Sequence, residues 1–124
     1  MDANFKAALE EMGMNVNSTV SRFMGKEELY LKFLNKFQTD QSVANIQQYI
    51  AEQNVEEVFK SAHTLKGVAA NLGLDPIARC ASDIVELFRG KTQFSEIDTD
   101  RLGVLNEELN ASHEALMKLL AEQQ

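Results

Sequence analysis

The sequence has no tryptophan, a single cysteine (Cys80), a single proline (Pro76) and no long uninterrupted apolar run. Each shortage excludes something. Without roughly 18 consecutive apolar residues, no segment reads as a transmembrane helix. Cys80 has no partner for an internal disulfide and no second thiol at metal-ligand spacing, which fits a reducing compartment and a place in the core. Basic residues are outnumbered, 12 Lys and Arg against 19 Asp and Glu, for a net charge of −7. That balance argues against a nucleic-acid partner, because phosphates are neutralised by clustered Lys and Arg. The opening MDANFKAALEEMG is acidic and amphipathic, and lacks the basic start, apolar centre and cleavage site of a secretion signal, so a cytoplasmic location is expected.

At 124 residues, 44% apolar and 25% charged, the chain is long enough for one core without staples, and residues 1–124 are expected to form a single domain. Its charge is unevenly spread. Residues 60–91 carry five basic side chains (Lys60, Lys66, Arg79, Arg89, Lys91) against three acidic ones, a balance of +2 beside −9 for the remainder. An anionic ligand or an acidic partner surface would be favoured there, although ordinary scatter of surface charge gives the same count.

Apolar residues recur at spacings of three and four, predicting an all-α fold with no competing strand signal. A first helix is expected over Asp2–Met12, with Phe5, Ala8, Leu9 and Met12 on one face. Gly13–Gly25 is less regular, with a short helix around Ser18–Met24. From Glu27, either one helix runs to about Glu52 or two pieces break near Thr39 and Asp40. Asn54-Val55-Glu56-Glu57 has the form of a capping box opening a helix that ends at Leu72-Gly73. Asp75-Pro76 opens the next, with the acid as cap and the proline in first position, running to Gly90. A loop, Lys91–Ile97, leads to a last helix over about Asp98–Ala121. Four substantial helices with short connections imply an antiparallel four-helix bundle over about residues 27–121, preceded by a helical extension over about 1–25.

On a helix from 54 to 72, Val58, Ala62, Leu65, Ala69 and Leu72 fall in one narrow stripe that must face the core. His63 lies well off it, with Lys66 at i+3, Gly67 at i+4 and Ala70 at i+7. Glycine inside a helix costs about 0.5–1 kcal/mol relative to alanine. Close packing against a neighbouring helix would explain Gly67, but it points away from the core stripe, which favours clearance for an approaching partner. Histidine, with an ordinary pKa near 6.5, offers a free ring nitrogen as nucleophile at neutral pH. Lys66 and Lys60 would supply positive field to phosphoryl oxygens beside it. A lone exposed histidine is most often only a surface residue.

Other signals carry less. His113 sits near the stripe of Leu109, Leu116 and Leu120 and reads as a partly buried bundle histidine. Gly90-Lys91-Thr92 lacks the earlier glycine of a phosphate-binding loop, since Val85 stands there. Neither a haem attachment motif nor Glu-x-x-His ligand pairs occur, so no metal is expected.

The segment AHTLKGVAANLGLDPIARC, residues 62–80, closely resembles the signature of the histidine-containing phosphotransfer (HPt) domain family. The His-x-Leu-Lys-Gly core is matched at His63, Leu65, Lys66 and Gly67, followed by small residues at Ala69 and Ala70, and by Leu72-Gly73-Leu74. The resemblance spans about residues 27–121. It implies a four-helix bundle with the acceptor histidine exposed on its second helix. His63 would take a phosphoryl group from a receiver-domain aspartyl phosphate and pass it to another receiver's aspartate. Implied partners are response-regulator receiver domains and a hybrid sensor histidine kinase. The Mg²⁺ would belong to the receiver, with no cofactor and no kinase activity in this chain.

Many family members carry a polar residue on the following helix that hydrogen-bonds the other imidazole nitrogen. Counting from the motif, that position falls on Val85, which cannot do so. Ser82 and Arg89, at i−3 and i+4 from it, are the nearby candidates for the site. A non-catalytic adaptor that binds the same partners is the rival expectation. A monomer is expected, and the starting Met and nearly complete domain length favour a free-standing shuttle over a piece of a larger sensor.

Overall fold

The computed structural model describes residues 1–123, which form seven α-helices and two short 3₁₀ turns and no strand. No described helix is long and apolar enough to cross a membrane.

Helix α1 (Ala3–Glu11) is capped by Asp2, whose carboxylate accepts from the Phe5 amide at 3.0 Å, and it buries Phe5 and Leu9. Ala8 and Met12 of the expected face are only half-buried. Helix α2 (Val16–Arg22) starts and stops two residues earlier than the sequence predicts. Its boundary is set by Asn15, whose side chain accepts from the Ser18 amide at 3.1 Å.

The region after Glu27 is two helices, α3 (Glu27–Lys36) and α4 (Ser42–Ala51), joined by a 3₁₀ turn at Phe37–Thr39. Asp40 makes the break: its backbone is extended, and its carboxylate accepts from the Ser42 amide at 2.8 Å. Helix α5 (Val55–Asn71) is capped by the Asn54 side chain on the Glu57 amide, but Glu57 turns toward Lys60 and the capping box expected there is half made. The reciprocal box stands instead at Gln93 and Glu96, inside the segment expected to be a plain loop. Helix α6 (Asp75–Phe88) has Leu74 at the cap and opens one residue earlier than predicted, with Asp75 and Pro76 as its first two residues. Asp75 thus acts on the helix dipole rather than as a hydrogen-bonding cap. Helix α7 (Thr99–Glu122) is capped by Asp98.

The most extensive packing is between α5 and α6, then α4 with α5 and α6 with α7, and α4 meets α7 to close the ring. Three-residue connections, 52–54 and 72–74, force α4, α5 and α6 antiparallel in turn, and ten residues, 89–98, return the chain along α6 as α7. The bundle therefore consists of α4–α7, and α3 joins α1 and α2 in an N-terminal layer. Every residue of the predicted α5 stripe is buried, as are Leu102, Leu105, Leu109, Leu116 and Leu120 of α7. On α6 the inward stripe is Ile77, Cys80, Ala81, Ile84, Val85 and Phe88. The Cys80 thiol faces Glu108, and burial pushes its pKa up.

The N-terminal layer closes one end of the bundle over the turn between α5 and α6. Gly73, at φ +71°, lies against the buried Thr19. The last carbonyls of α5, which have no partner within the helix, are met from this layer: Arg22 donates to Ala70 O at 3.0 Å, and the Tyr30 hydroxyl donates to Leu72 O at 3.4 Å. Burial pushes the Tyr30 pKa up to about 12.

His113 is half-buried as expected, edge-on to Phe37 with ring centroids 6.1 Å apart. Burial lowers its pKa against the opposing pull of Asp40 and Glu114. The unfolded chain therefore binds this proton first as pH drops. The contribution to stability is complete above the ordinary histidine pKa of about 6.5 and is lost as pH falls through the lower folded value. His113→Gln is expected to flatten the decline in urea-denaturation stability between about pH 7 and about pH 5. An unchanged slope would assign that decline to other groups.

Candidate functional site

The outer face of α5 presents His63, Gly67 and Ala70, all exposed and successive by one turn. A Cβ built on Gly67 would have nothing within 4 Å. Close helix packing is thereby excluded as the reason for this glycine, and the surface beside the imidazole is open. Lys66 is half-buried on the side toward α6.

Lys60 is placed differently from expectation. Its ammonium is 3.0 Å from Glu56 and 3.9 Å from Glu57, and the bond to Glu56 holds its pKa above the usual value. Much of the field it would offer His63 is answered by these carboxylates.

Across from α5, the outward strip of α6 contains Ser82 and Glu86, continued by Arg89 just past its end, while Val85 is fully enclosed in the core. Ser82 is half-buried and makes no hydrogen bond to the imidazole. Arg89 holds Glu86 through both Nε and Nη2, at 3.0–3.2 Å, and this pairing lowers the Glu86 pKa, with a smaller contribution from Lys66. The Arg89 guanidinium also lies 5.5 Å from the centre of the Phe59 ring. Phe59 in turn lies parallel to His63, with an interplanar angle of 8° and centroids 6.4 Å apart. Among the described residues, no hydrogen bond reaches the His63 ring.

The family model for the Hpt domain matches residues 28–115, well over half of the chain and all of α4, α5 and α6. The chain belongs to the Hpt domain family. Comparisons with curated proteins and with solved structures each found no match. As an Hpt domain, the chain has a phosphotransfer role in two-component signalling, where such domains interact with receiver domains and kinases.

Three participants on this face of the Hpt domain escape the sequence pattern. Phe59 stands at i−4 from His63, the mirror of Gly67 at i+4, and the same helical count finds it. Glu86 is found only once α6 is known to turn Val85 inward. Arg22 reaches the face from α2 through a contact 48 residues distant in sequence, which no local spacing reveals.

Proposed function

We propose that this Hpt domain is a phosphorelay carrier in which His63 accepts a phosphoryl group from a receiver-domain aspartyl phosphate and delivers it to the aspartate of another receiver. The observation that carries this reading is an exposed imidazole on the second bundle helix beside a glycine whose side-chain space is empty. The ring nitrogen remote from the backbone attacks phosphorus as the bond to the aspartyl oxygen breaks, and the carboxylate leaves with the bonding electron pair. Onward transfer is the same displacement in reverse. Lys66 supports the charge on the phosphoryl oxygens, with Mg²⁺ supplied by the receiver. Gly67 and Ala70 leave room for the receiver surface, and Arg89 and Lys60 act at its rim. The chain works as one monomeric domain in the cytoplasm, fed by a hybrid sensor kinase.

Incubation with a phosphorylated receiver is expected to place acid-labile phosphate on the native protein and none on His63→Gln. Absence of label on the native protein across several receivers would remove the proposal. The adaptor alternative draws on the missing hydrogen bond to the imidazole. It requires His63→Gln to bind receivers normally while neither protein is labelled.

A further inference from the structure

An exposed imidazole without a hydrogen-bond partner is free to rotate about its side-chain torsions. In-line attack needs the ring nitrogen aimed at phosphorus, so something should limit that rotation. Among the described residues, the one aromatic ring against His63 is Phe59, one turn earlier on α5 and half-buried at the boundary with α6. Its near-parallel arrangement at 6.4 Å lies within the range of offset-stacked aromatic pairs. Phe59 is itself held: the Arg89 guanidinium sits 5.5 Å from its ring centre, within cation–π range. Arg89 is fixed by its two-pronged hold on Glu86, one turn earlier on α6. A chain of contacts thus runs from α6 to the acceptor ring: Glu86 to Arg89, Arg89 to Phe59, Phe59 to His63.

We infer that Phe59 is a positioning residue that sets the plane of the His63 ring by stacking, and that Arg89 braces it from α6 in place of a hydrogen bond to the imidazole. This rests on His63 as the phosphoacceptor. The brace is apolar where it meets the ring, so it occupies neither ring nitrogen and leaves the attacking one free. Lys66 also lies near enough to Glu86 to lower its pKa, and it makes no ion pair within 4.0 Å among the described residues. The brace therefore uses Arg89 and leaves the Lys66 ammonium available to the phosphoryl group.

The test compares Phe59→Leu, which keeps apolar bulk and removes the ring, with Phe59→Tyr, which keeps the ring. Phe59→Leu is expected to lower the transfer rate at saturating phosphorylated receiver by roughly tenfold, leaving the receiver concentration for half-maximal rate unchanged. Phe59→Tyr should restore most of that rate. Arg89→Gln, at an exposed position that leaves the core untouched, should fall between them. Proton NMR of the unphosphorylated protein gives a readout independent of the chemistry. The ring-current shifts of the His63 ring protons should collapse in Phe59→Leu and persist in Phe59→Tyr. Equal rates in Phe59→Leu and the native protein, equal slowing by leucine and tyrosine, or unmoved His63 resonances would each overturn the inference. If native His63 took no phosphate at all, the carrier reading would fail, while the NMR arm would still decide whether the stack holds the ring.

Discussion

Replacing Gly67 with glutamine is expected to make the protein more stable and the phosphotransfer slower. The first half follows from the helix. Gly67 sits mid-way along α5, its Cβ position meets nothing within 4 Å, and its backbone is helical, so a side chain enters without strain. Removing the conformational freedom of glycine there is worth about 0.5–1 kcal/mol, read as a higher urea midpoint with an unchanged slope. The second half follows from the same empty space. A glutamine one turn from His63 stands where a receiver surface must come within reach of the imidazole, and transfer is expected to fall by roughly ten- to a hundredfold. Transfer at the native rate in this variant would mean that the partner does not approach over Gly67. Opposite signs for stability and activity separate a docking effect from a folding defect.

Gly73→Ala should act the other way, as a large loss of stability. Gly73 is at φ +71°, a left-handed conformation that costs an alanine about 1 kcal/mol, and its Cβ would fall 2.0 Å from Thr19 Oγ1 and 3.0 Å from Thr19 Cβ. Thr19 has little freedom to withdraw. It is buried, and its hydroxyl donates to Asn15 O at 2.7 Å. The two effects together are expected to cost about 3 kcal/mol or more in chemical denaturation. Thr19→Ala in the same chain should recover part of that loss, since it removes the nearest atom but leaves both the backbone strain and the contact with Cβ. Strict additivity of the two substitutions would show that the contact does not exist in solution.

Legibility in the sequence followed the range of the forces involved. The limits of α5 could be read because Asn54 and Gly73 act within a turn of themselves, and the inward stripe because burial repeats with the helical period. His63, Lys66 and Gly67 share one helix, so their adjacency needs only counting. The sequence leaves the break at Asp40 open between two outcomes because residues 27–52 contain neither glycine nor proline to mark it, although Phe37 and Ile46, nine residues apart, would fall on opposite sides of one continuous helix. Only the side chain of Asp40 folding onto the Ser42 amide decides the matter. On α6, counting from the family motif points to Val85, whereas the inward stripe of that helix claims Val85 and turns Glu86, and Arg89 at its end, outward. Phe59 does not stand out in the sequence because an aromatic residue on an amphipathic helix reads first as core. The pairing of Lys60 with Glu56 was visible as an i, i+4 spacing, yet its effect on the field at His63 needed the geometry.

The clamp of the N-terminal layer on the turn between α5 and α6 bears on where the chain could be cut. The stretch that matches the family, residues 28–115, begins after Thr19 and Arg22 and ends before Leu116 and Leu120. Trimming to those edges would keep His63, Lys66 and Gly67 intact. It would also leave Ala70 O without its guanidinium, uncover the turn at Gly73, and strip two buried leucines from the end of α7. The stretch that carries the signature is thus shorter than the stretch that keeps its acceptor helix in shape.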